Sequence, residues 1–174
     1  MTDLRYPIGK FQRKDAITAS ERDECIRQIA EAPQLVRAAV AGLTPEQLAT
    51  PYRPEGWTVR QVVHHVPDSH LNAYIRFKLA LTEDQPAIKT YRENVWAELI
   101  DGRTAPVEHS LALLDALHFR WVMLLRSLSE ADFHRTFLHP DAGVMKLESL
   151  VQLYAWHGAH HTAHITSLRT RSGW

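Results

Sequence analysis

Four histidines lie within eight residues of this 174-residue chain, in the segment YAWHGAHHTAHI. They form two pairs, His157/His161 and His160/His164, whose members are four residues apart and would share one face of a helix. Two neutral imidazoles at this spacing suit a transition metal such as zinc or nickel. Two protein ligands rarely complete such a site, so a further ligand is expected from another element.

A second group of histidines, in the segment VRQVVHHVPDSH, is the natural source of that ligand. On a helical projection His64 points most nearly outward, His65 flanks the apolar stripe and His70 lies on it. Periodicity therefore rates His65 and His70 equally as partners for the pair on the later segment.

Four long amphipathic helices are predicted to position these histidines. The first is capped by Ser20 and ends near Gly42, and the second begins at a capping box formed by Thr58 and Gln61. In the last helix, the apolar stripe contains His161 and has His157 near its edge, whereas His160 and His164 face a flank. The predicted helices span residues 20–42, 59–81, 106–128 and 147–171.

The connections between these helices are predicted to contain only short helical turns and loops. Thr44 and Ser129 each cap a short helical turn, YRENVWAELI holds a helical piece, and FLHPDAGV is a loop. No segment alternates apolar and polar residues between turn signals, so little sheet is expected. The pattern predicts an all-α protein built as a four-helix bundle.

Composition excludes several classes of protein. Twenty basic and twenty acidic side chains give zero formal net charge, so we expect neither nucleic acid nor a membrane as a partner. The one cysteine, Cys25, allows no intramolecular disulfide, which fits a reducing compartment. The opening segment MTDLRYPIGKFQRKDA lacks the apolar core of a signal peptide, so a cytoplasmic location is expected.

Other metal and catalytic templates do not match this sequence. It contains neither His-Glu-x-x-His nor Glu-x-x-His, which disfavours the metalloprotease and di-iron carboxylate sites. A single cysteine excludes a cysteine-rich zinc ribbon. The phosphate-binding glycine motifs and the Gly-x-Ser-x-Gly elbow are also missing.

The histidine segments carry a resemblance to a known family. GWTVRQVVHH followed by HGAHHTAHI resembles the DinB-like superfamily of metal-binding four-helix bundles, and within it the YfiT type, over nearly the whole chain. Members of that type are described as metal-dependent hydrolases and as bacillithiol S-transferases. The resemblance implies one domain over residues 1–174, an up-down-down-up bundle with extra short helices in the connections, and a homodimer.

The resemblance also implies which histidines hold the metal. Its pattern assigns one ligand to the second long helix, at His65, and two to the last helix, at His157 and His161. This choice decides between His65 and His70, which periodicity leaves open. One divalent ion per chain is implied, and imidazole ligands suit either Zn²⁺ or Ni²⁺.

Three neutral ligands on a divalent ion leave an open position and a net charge of +2, as in catalytic sites. A thiol at that position loses its proton and becomes a nucleophile, whereas water there would serve hydrolysis. The resemblance favours bacillithiol, or a related low-molecular-weight thiol, as a co-substrate that attacks electrophiles in detoxification. A metal-dependent hydrolase and a non-catalytic, metal-binding stress-response bundle are the alternatives.

Further polar residues are candidates for supporting this site, and no catalytic residue beyond the metal ligands is identified. Asp68 could accept a hydrogen bond from a ligand imidazole, and His160 and His164 could orient the site or contact another subunit. No role is assigned to His139. The candidates for gripping a polar thiol are Asn72, Arg76 and Arg120.

Overall fold

Four long helices carry the fold of the computed structural model, which describes residues 3–174. No helix in those residues is both long and apolar enough to cross a membrane. In chain order the elements are α1 (Ala19–Val40), α2 (Pro45–Leu48), α3 (Val59–Thr82), α4 (Glu93–Trp96), α5 (Ile100–Thr104), α6 (Val107–Ser127), α7 (Glu130–Phe133), β1 (Thr136–His139), β2 (Gly143–Lys146) and α8 (Leu147–Ser172).

Helices α1 and α8 run parallel to each other. At one end of the pair, the Arg22 guanidinium donates to the Glu148 carboxylate over 3.0 Å. At the other end, the Arg169 guanidinium donates to the Ala39 carbonyl over 2.9 Å. The chain therefore runs in the same direction through both helices, although more than a hundred residues separate them.

Helices α3 and α6 are also parallel, and they run opposite to α8. His64 meets Ser110 and, further along both helices, His70 meets His118. In contrast, Ser69 on α3 contacts Tyr154 on α8, while the earlier residue on α3, His65, lies beside the later His161. The up-down-down-up arrangement implied by the resemblance is confirmed, and the protein is a four-helix bundle.

Capping boxes set the start of several helices. The predicted boxes at Thr44 and Thr58 and the predicted cap at Ser129 are confirmed. The prediction that Ser20 caps α1 is wrong, because Thr18 accepts from the Glu21 backbone N–H and the Glu21 carboxylate accepts from that of Thr18. That reciprocal pair satisfies two backbone donors two residues earlier than expected.

The segment predicted as the loop FLHPDAGV is instead a β-hairpin. Strands β1 and β2 pair antiparallel, with Thr136 opposite Lys146 and His139 opposite Gly143. Each strand has only four residues, too few to show an alternating pattern. Tertiary contacts support them, since the Ile88 backbone N–H donates to the Leu138 carbonyl at 3.0 Å. The hairpin thus ties the long connection after α3 to the bundle.

The hydrophobic core is divided into two clusters by a layer of histidines. One cluster surrounds Phe77 and Trp121, and the other surrounds Val62 and Ile165. Burying polar rings between them is unfavourable unless their nitrogens find partners. The histidines of this layer are His65, His70, His118, His157 and His161.

Candidate metal centre

The three histidines implied as ligands converge in the structure. His65 from α3 and the pair His157 and His161 from α8 each offer one ring nitrogen, and these nitrogens all lie within 4.8 Å of one another. The closest recorded approach joins His65 Nε2 to His157 Nε2, at 3.4 Å. Helical spacing explains the α8 pair, and the antiparallel packing of α3 on α8 supplies the third ring.

The geometry of these rings fits a divalent transition metal. Two nitrogens at zinc–nitrogen bond length on a tetrahedral centre lie about 3.3 Å apart. The 3.4 Å between His65 Nε2 and His157 Nε2 is close to that separation. One pair of nitrogens therefore already has the separation that such an ion requires, and His161 offers a third nitrogen within 4.8 Å of the other ligand atoms.

The electrostatics of the site keep the imidazoles neutral. Burial, with a smaller contribution from repulsion by neighbouring histidines, lowers the pKa of His65 to about 4. The same causes hold the pKa of His157 and of His161 well below the usual range. Because a histidine must be unprotonated to bind a metal, all three can act as ligands at neutral pH.

A row of histidines extends behind His157, away from His65. His157 Nδ1 lies 3.1 Å from His70 Nε2, and His70 Nδ1 lies 2.8 Å from His118 Nε2. The row ends at the backbone, where His118 Nδ1 lies 2.6 Å from the Ile29 carbonyl oxygen. Every ring nitrogen of His70 and His118 thus has a partner in the core.

A shorter row stands behind His161. His161 Nδ1 lies 3.3 Å from His164 Nδ1, and His164 Nε2 lies 3.1 Å from the Arg5 carbonyl oxygen. Both α8 ligands therefore contact another histidine through Nδ1. Each of these rows ends at a main-chain carbonyl.

The prediction that His160 and His164 face a flank of the bundle is wrong, because both are buried, at 6% and 3% exposure. Trp156 stacks on His160 with 4.2 Å between ring centroids, and Tyr52 stacks on His164 at 4.0 Å. Tyr6 also lies against His160. Tyr6 and Tyr52 come from segments outside the four long helices. The periodicity of α8 alone therefore cannot predict that they bury His160 and His164.

His64 is likewise buried rather than outward-facing. The Ser110 hydroxyl donates to His64 Nδ1 at 2.7 Å, and His64 Nε2–H donates to the Ala105 carbonyl at 3.1 Å. These partners belong to α6 and to the end of α5, which pack over that side of α3. His64 is thus occupied by contacts between helices and stays apart from the three converging rings.

Asp68 and Asn72 lie on the partly covered side of α3. Burial, with a smaller contribution from the charge of Asp101, raises the pKa of the Asp68 carboxyl to about 6. Among the described residues, no imidazole donates to that carboxylate, so a supporting role for Asp68 stays a prediction. The Asn72 amide donates to the Asp68 carbonyl at 2.9 Å.

The remaining candidates are scattered. Arg76 is buried on α3, whereas Arg120 is exposed on α6 with its guanidinium 5.8 Å from the centre of the Tyr74 ring. His139 lies in β1, where its Nδ1 accepts from the Asp141 backbone N–H at 3.2 Å. None of the side chains of Arg76, Arg120 and His139 lines the surface cavity that reaches His161.

A cavity of about 400 Å³ reaches His161 from the surface. Trp57 lines it and also packs against His65, with 4.6 Å between ring centroids. Its charged lining residues are Arg5, Arg53, Glu55 and Glu93. Within the described residues, Arg53, Glu55 and Glu93 form no salt bridge with one another or with other side chains, so their charges are available to a ligand.

Three residues around the site, His118, Arg5 and Arg53, were not predicted from the sequence. The phase of α6 could have identified His118, which falls among Leu114, Leu117 and Trp121 on the buried face. Arg5 and Arg53 carry no comparable signal, because they lie in irregular segments that only the tertiary fold brings to α8.

Comparison with known proteins identifies the family of this chain. The family model described as "DinB superfamily" matches residues 28–165. A protein of Bacillus cereus, named "Putative metal-dependent hydrolase", is 58% identical over 174 residues, which is 100% of both chains. A protein of Bacillus mycoides with the same description is 57% identical, again over 100% of both chains.

Solved structures agree with the fold. YfiT from Bacillus subtilis, described as "a probable metal-dependent hydrolase with an unusual four-helix bundle topology", is 51% identical, and the match covers 98% of each chain with a TM-score of 0.96. The four-helix bundle protein TT2238 is 20% identical with a TM-score of 0.56, over 88% of this chain and 99% of that one. At that identity TT2238 supports the fold alone.

Proposed function

Because this chain belongs to the DinB superfamily, we propose that its three converging histidines bind a divalent metal and serve an S-transferase. The thiol would be bacillithiol or a related low-molecular-weight thiol, and the acceptors would be electrophiles removed in detoxification. The observation that carries the proposal is the set of His65, His157 and His161, whose neutral nitrogens lie within 4.8 Å beside a polar cavity.

The three imidazoles would hold the metal, and Zn²⁺ and Ni²⁺ both suit them. When bound, the ion supplies positive charge that favours the thiolate form of a thiol at its open position. Trp57 covers His65 and limits access of water from that side. Burial keeps the ligands neutral, so the protein does not reduce the charge of the ion.

The cavity beside His161 offers contacts that suit bacillithiol. That thiol carries carboxylates and an amino group, and the cavity presents the cation of Arg53 and the anions of Glu55 and Glu93. Arg5 also lines the cavity, with its guanidinium paired to Asp3 at 3.0 Å. Guanidinium–carboxylate pairs are among the stronger polar contacts in proteins. A cavity lined by both signs of charge therefore favours a zwitterionic thiol over a purely apolar one.

The transfer itself is a displacement at carbon. The sulfur forms a new S–C bond with the electrophile, and the leaving group departs with the electron pair of its bond. The thiol proton passes to water, and no oxidant or reductant is consumed. The cavity residues would hold the two reactants next to each other, which converts a bimolecular encounter into a reaction within one complex.

A hydrolase is the second candidate, and the names given to the related proteins favour it. The same three histidines would serve it, with water in place of the thiol at the open position. The two candidates differ in one requirement, because only the transferase needs a thiol.

The test combines zinc-loaded or nickel-loaded protein with bacillithiol and chlorodinitrobenzene and follows the coloured conjugate. A rate that requires both metal and thiol supports the transferase. The matched reaction omits the thiol and supplies chromogenic esters, and turnover there would support the hydrolase instead. If metal binds and neither reaction is accelerated, both enzymatic proposals fail and a non-catalytic metal-binding bundle replaces them.

We also propose that the protein acts in the cytoplasm as a homodimer. Exposed apolar side chains on α6 support the dimer, because Phe119 and Met123 are 70% and 61% exposed. Neighbouring exposed side chains of this size are typical of surfaces that pack against another chain.

A further inference from the structure

We infer that His70, His118 and His164 are positioning residues that fix the tautomers of two metal ligands. Two hydrogen-bond relays, each ending on a backbone carbonyl, hold His157 and His161 with a proton on Nδ1 and a free lone pair on Nε2. The inference rests on the metal site of the proposed function, and it is independent of whether that site serves a thiol or water.

The direction of the first relay follows from its last member. The Ile29 carbonyl can only accept, so the nitrogen 2.6 Å away, His118 Nδ1, must carry a proton. Burial lowers the pKa of His118 to about 4, so the ring is neutral and its Nε2 has a lone pair. His70 Nδ1, at 2.8 Å, must then donate to that lone pair.

The protonation of His118 and His70 in turn sets that of the metal ligand His157. His70 donates from Nδ1 to His118, and an uncharged imidazole that donates from one nitrogen accepts at the other, so His70 Nε2 is an acceptor. The nitrogen 3.1 Å away is His157 Nδ1, which must therefore carry the proton. His157 Nε2 is left with its lone pair directed toward His65, 3.4 Å away.

The second relay reaches the same result for His161 by a different route. The Arg5 carbonyl accepts from His164 Nε2, which leaves a lone pair on His164 Nδ1. His161 Nδ1 lies 3.3 Å from that atom and must donate to it. His161 is thereby held with a free Nε2, as His157 is.

Neutral relays have a consequence for the charge of the site. Metal-binding histidines often donate to a carboxylate, which adds a negative charge near the ion. Here each relay ends at an uncharged carbonyl, that of Ile29 or that of Arg5. The site therefore retains the full charge of the ion, which favours the deprotonated form of whatever occupies its open position.

The decisive measurement is made on metal-free protein without thiol or electrophile. Long-range ¹H–¹⁵N NMR of protein labelled at histidine reads which nitrogen of each ring is protonated. We expect His157 and His161 to be protonated on Nδ1 before any metal is added. A protonated Nε2 on either ring in the unmodified protein would overturn the inference, and this result needs no variant that folds.

Two variants of His118 separate positioning from packing. In His118→Gln the amide can still accept from His70 and donate to the Ile29 carbonyl, whereas in His118→Leu it can do neither. We expect His118→Leu to shift His157 toward the Nε2-protonated tautomer. It should also weaken metal binding about 10- to 100-fold, as is typical when a residue that orients a metal ligand is removed. His118→Gln should retain both properties near those of the unmodified protein.

Metal affinity is measured by competition with a chromogenic chelator, and folding is checked by circular dichroism. Equal affinity in folded His118→Leu and in the unmodified protein would contradict the inference. Equal loss in His118→Leu and His118→Gln would assign His118 to packing alone and would also contradict it. Because neither readout involves turnover, a failed transferase assay leaves this test intact.

Discussion

His157 on α8 lies between two histidines of α3. His65 Nε2 is 3.4 Å from His157 Nε2, and His70 Nε2 is 3.1 Å from His157 Nδ1. One neighbour faces the side of the ring that would bind a metal, and the other faces the opposite side. This arrangement explains why helical periodicity rates His65 and His70 equally. Both point toward α8, and they differ only in which nitrogen of His157 they meet.

Removal of a ligand ring should remove the metal. We expect His65→Ala and His161→Ala to lose most of their bound zinc or nickel, because two remaining imidazoles rarely hold such an ion. Elemental analysis after dialysis measures the content. His109→Ala, which truncates an exposed histidine on α6, is the matched control and should keep its metal. Full metal content in both ligand variants would refute the assignment of the site.

The stability of the metal-free protein should depend on pH through buried histidines such as His118. Burial lowers the pKa of His118 to about 4 from its ordinary value of 6.5, against the opposing effect of its bond to the Ile29 carbonyl. Between these pH values the unfolded chain binds a proton at this position and the folded protein does not. The free energy of unfolding should therefore fall as the pH falls from 6.5 to about 4, and this contribution should level off below that.

Urea unfolding at a series of pH values measures this effect. One proton corresponds to about 1.4 kcal/mol per pH unit, so His118 contributes on the order of 3 kcal/mol across the interval. His118→Gln, which has no titrating ring, should show a shallower dependence on pH. Identical slopes for the two proteins would show that His118 does not titrate in this way.

Arg53 should affect the use of the thiol without affecting the metal. We expect Arg53→Met to raise the KM for bacillithiol about 10-fold or more, since a charge-assisted hydrogen bond to a ligand carboxylate contributes on the order of 1.5–3 kcal/mol. Steady-state kinetics at saturating electrophile measures it. Arg120→Met is the control, because Arg120 is exposed and does not line the cavity. A larger effect in Arg120→Met would favour the binding role first predicted for Arg120.

The apolar surface of α6 should mediate self-association. Light scattering is expected to show a dimer for the unmodified protein and a monomer for Phe119→Lys, because a charge in an apolar interface is costly. Glu108→Lys changes an exposed residue near the start of the same helix and should leave the dimer intact. A dimer that persists in Phe119→Lys would place the interface elsewhere, and a monomer in the unmodified protein would end the proposal.

The four helices of the bundle were predictable because their determinants are local. A capping box such as that of Thr58 and Gln61 joins residues three apart, and an amphipathic stripe repeats within one helix. The α8 pair His157 and His161 follows from the same spacing. The hairpin of β1 and β2 was not predictable, since its strands are short and are supported by Pro86 and Ile88 from a distant segment.

The sequence by itself determined the four helices and, through the family resemblance, the histidines expected to bind the metal. Only the tertiary structure decided what surrounds them. Tyr52 covers His164, Ala105 and Ser110 enclose His64, and His118 lies behind His70. The physical reason is that helical phase describes one helix relative to its own axis. Burial and hydrogen bonding depend on residues that are far away in sequence and are brought near only by packing.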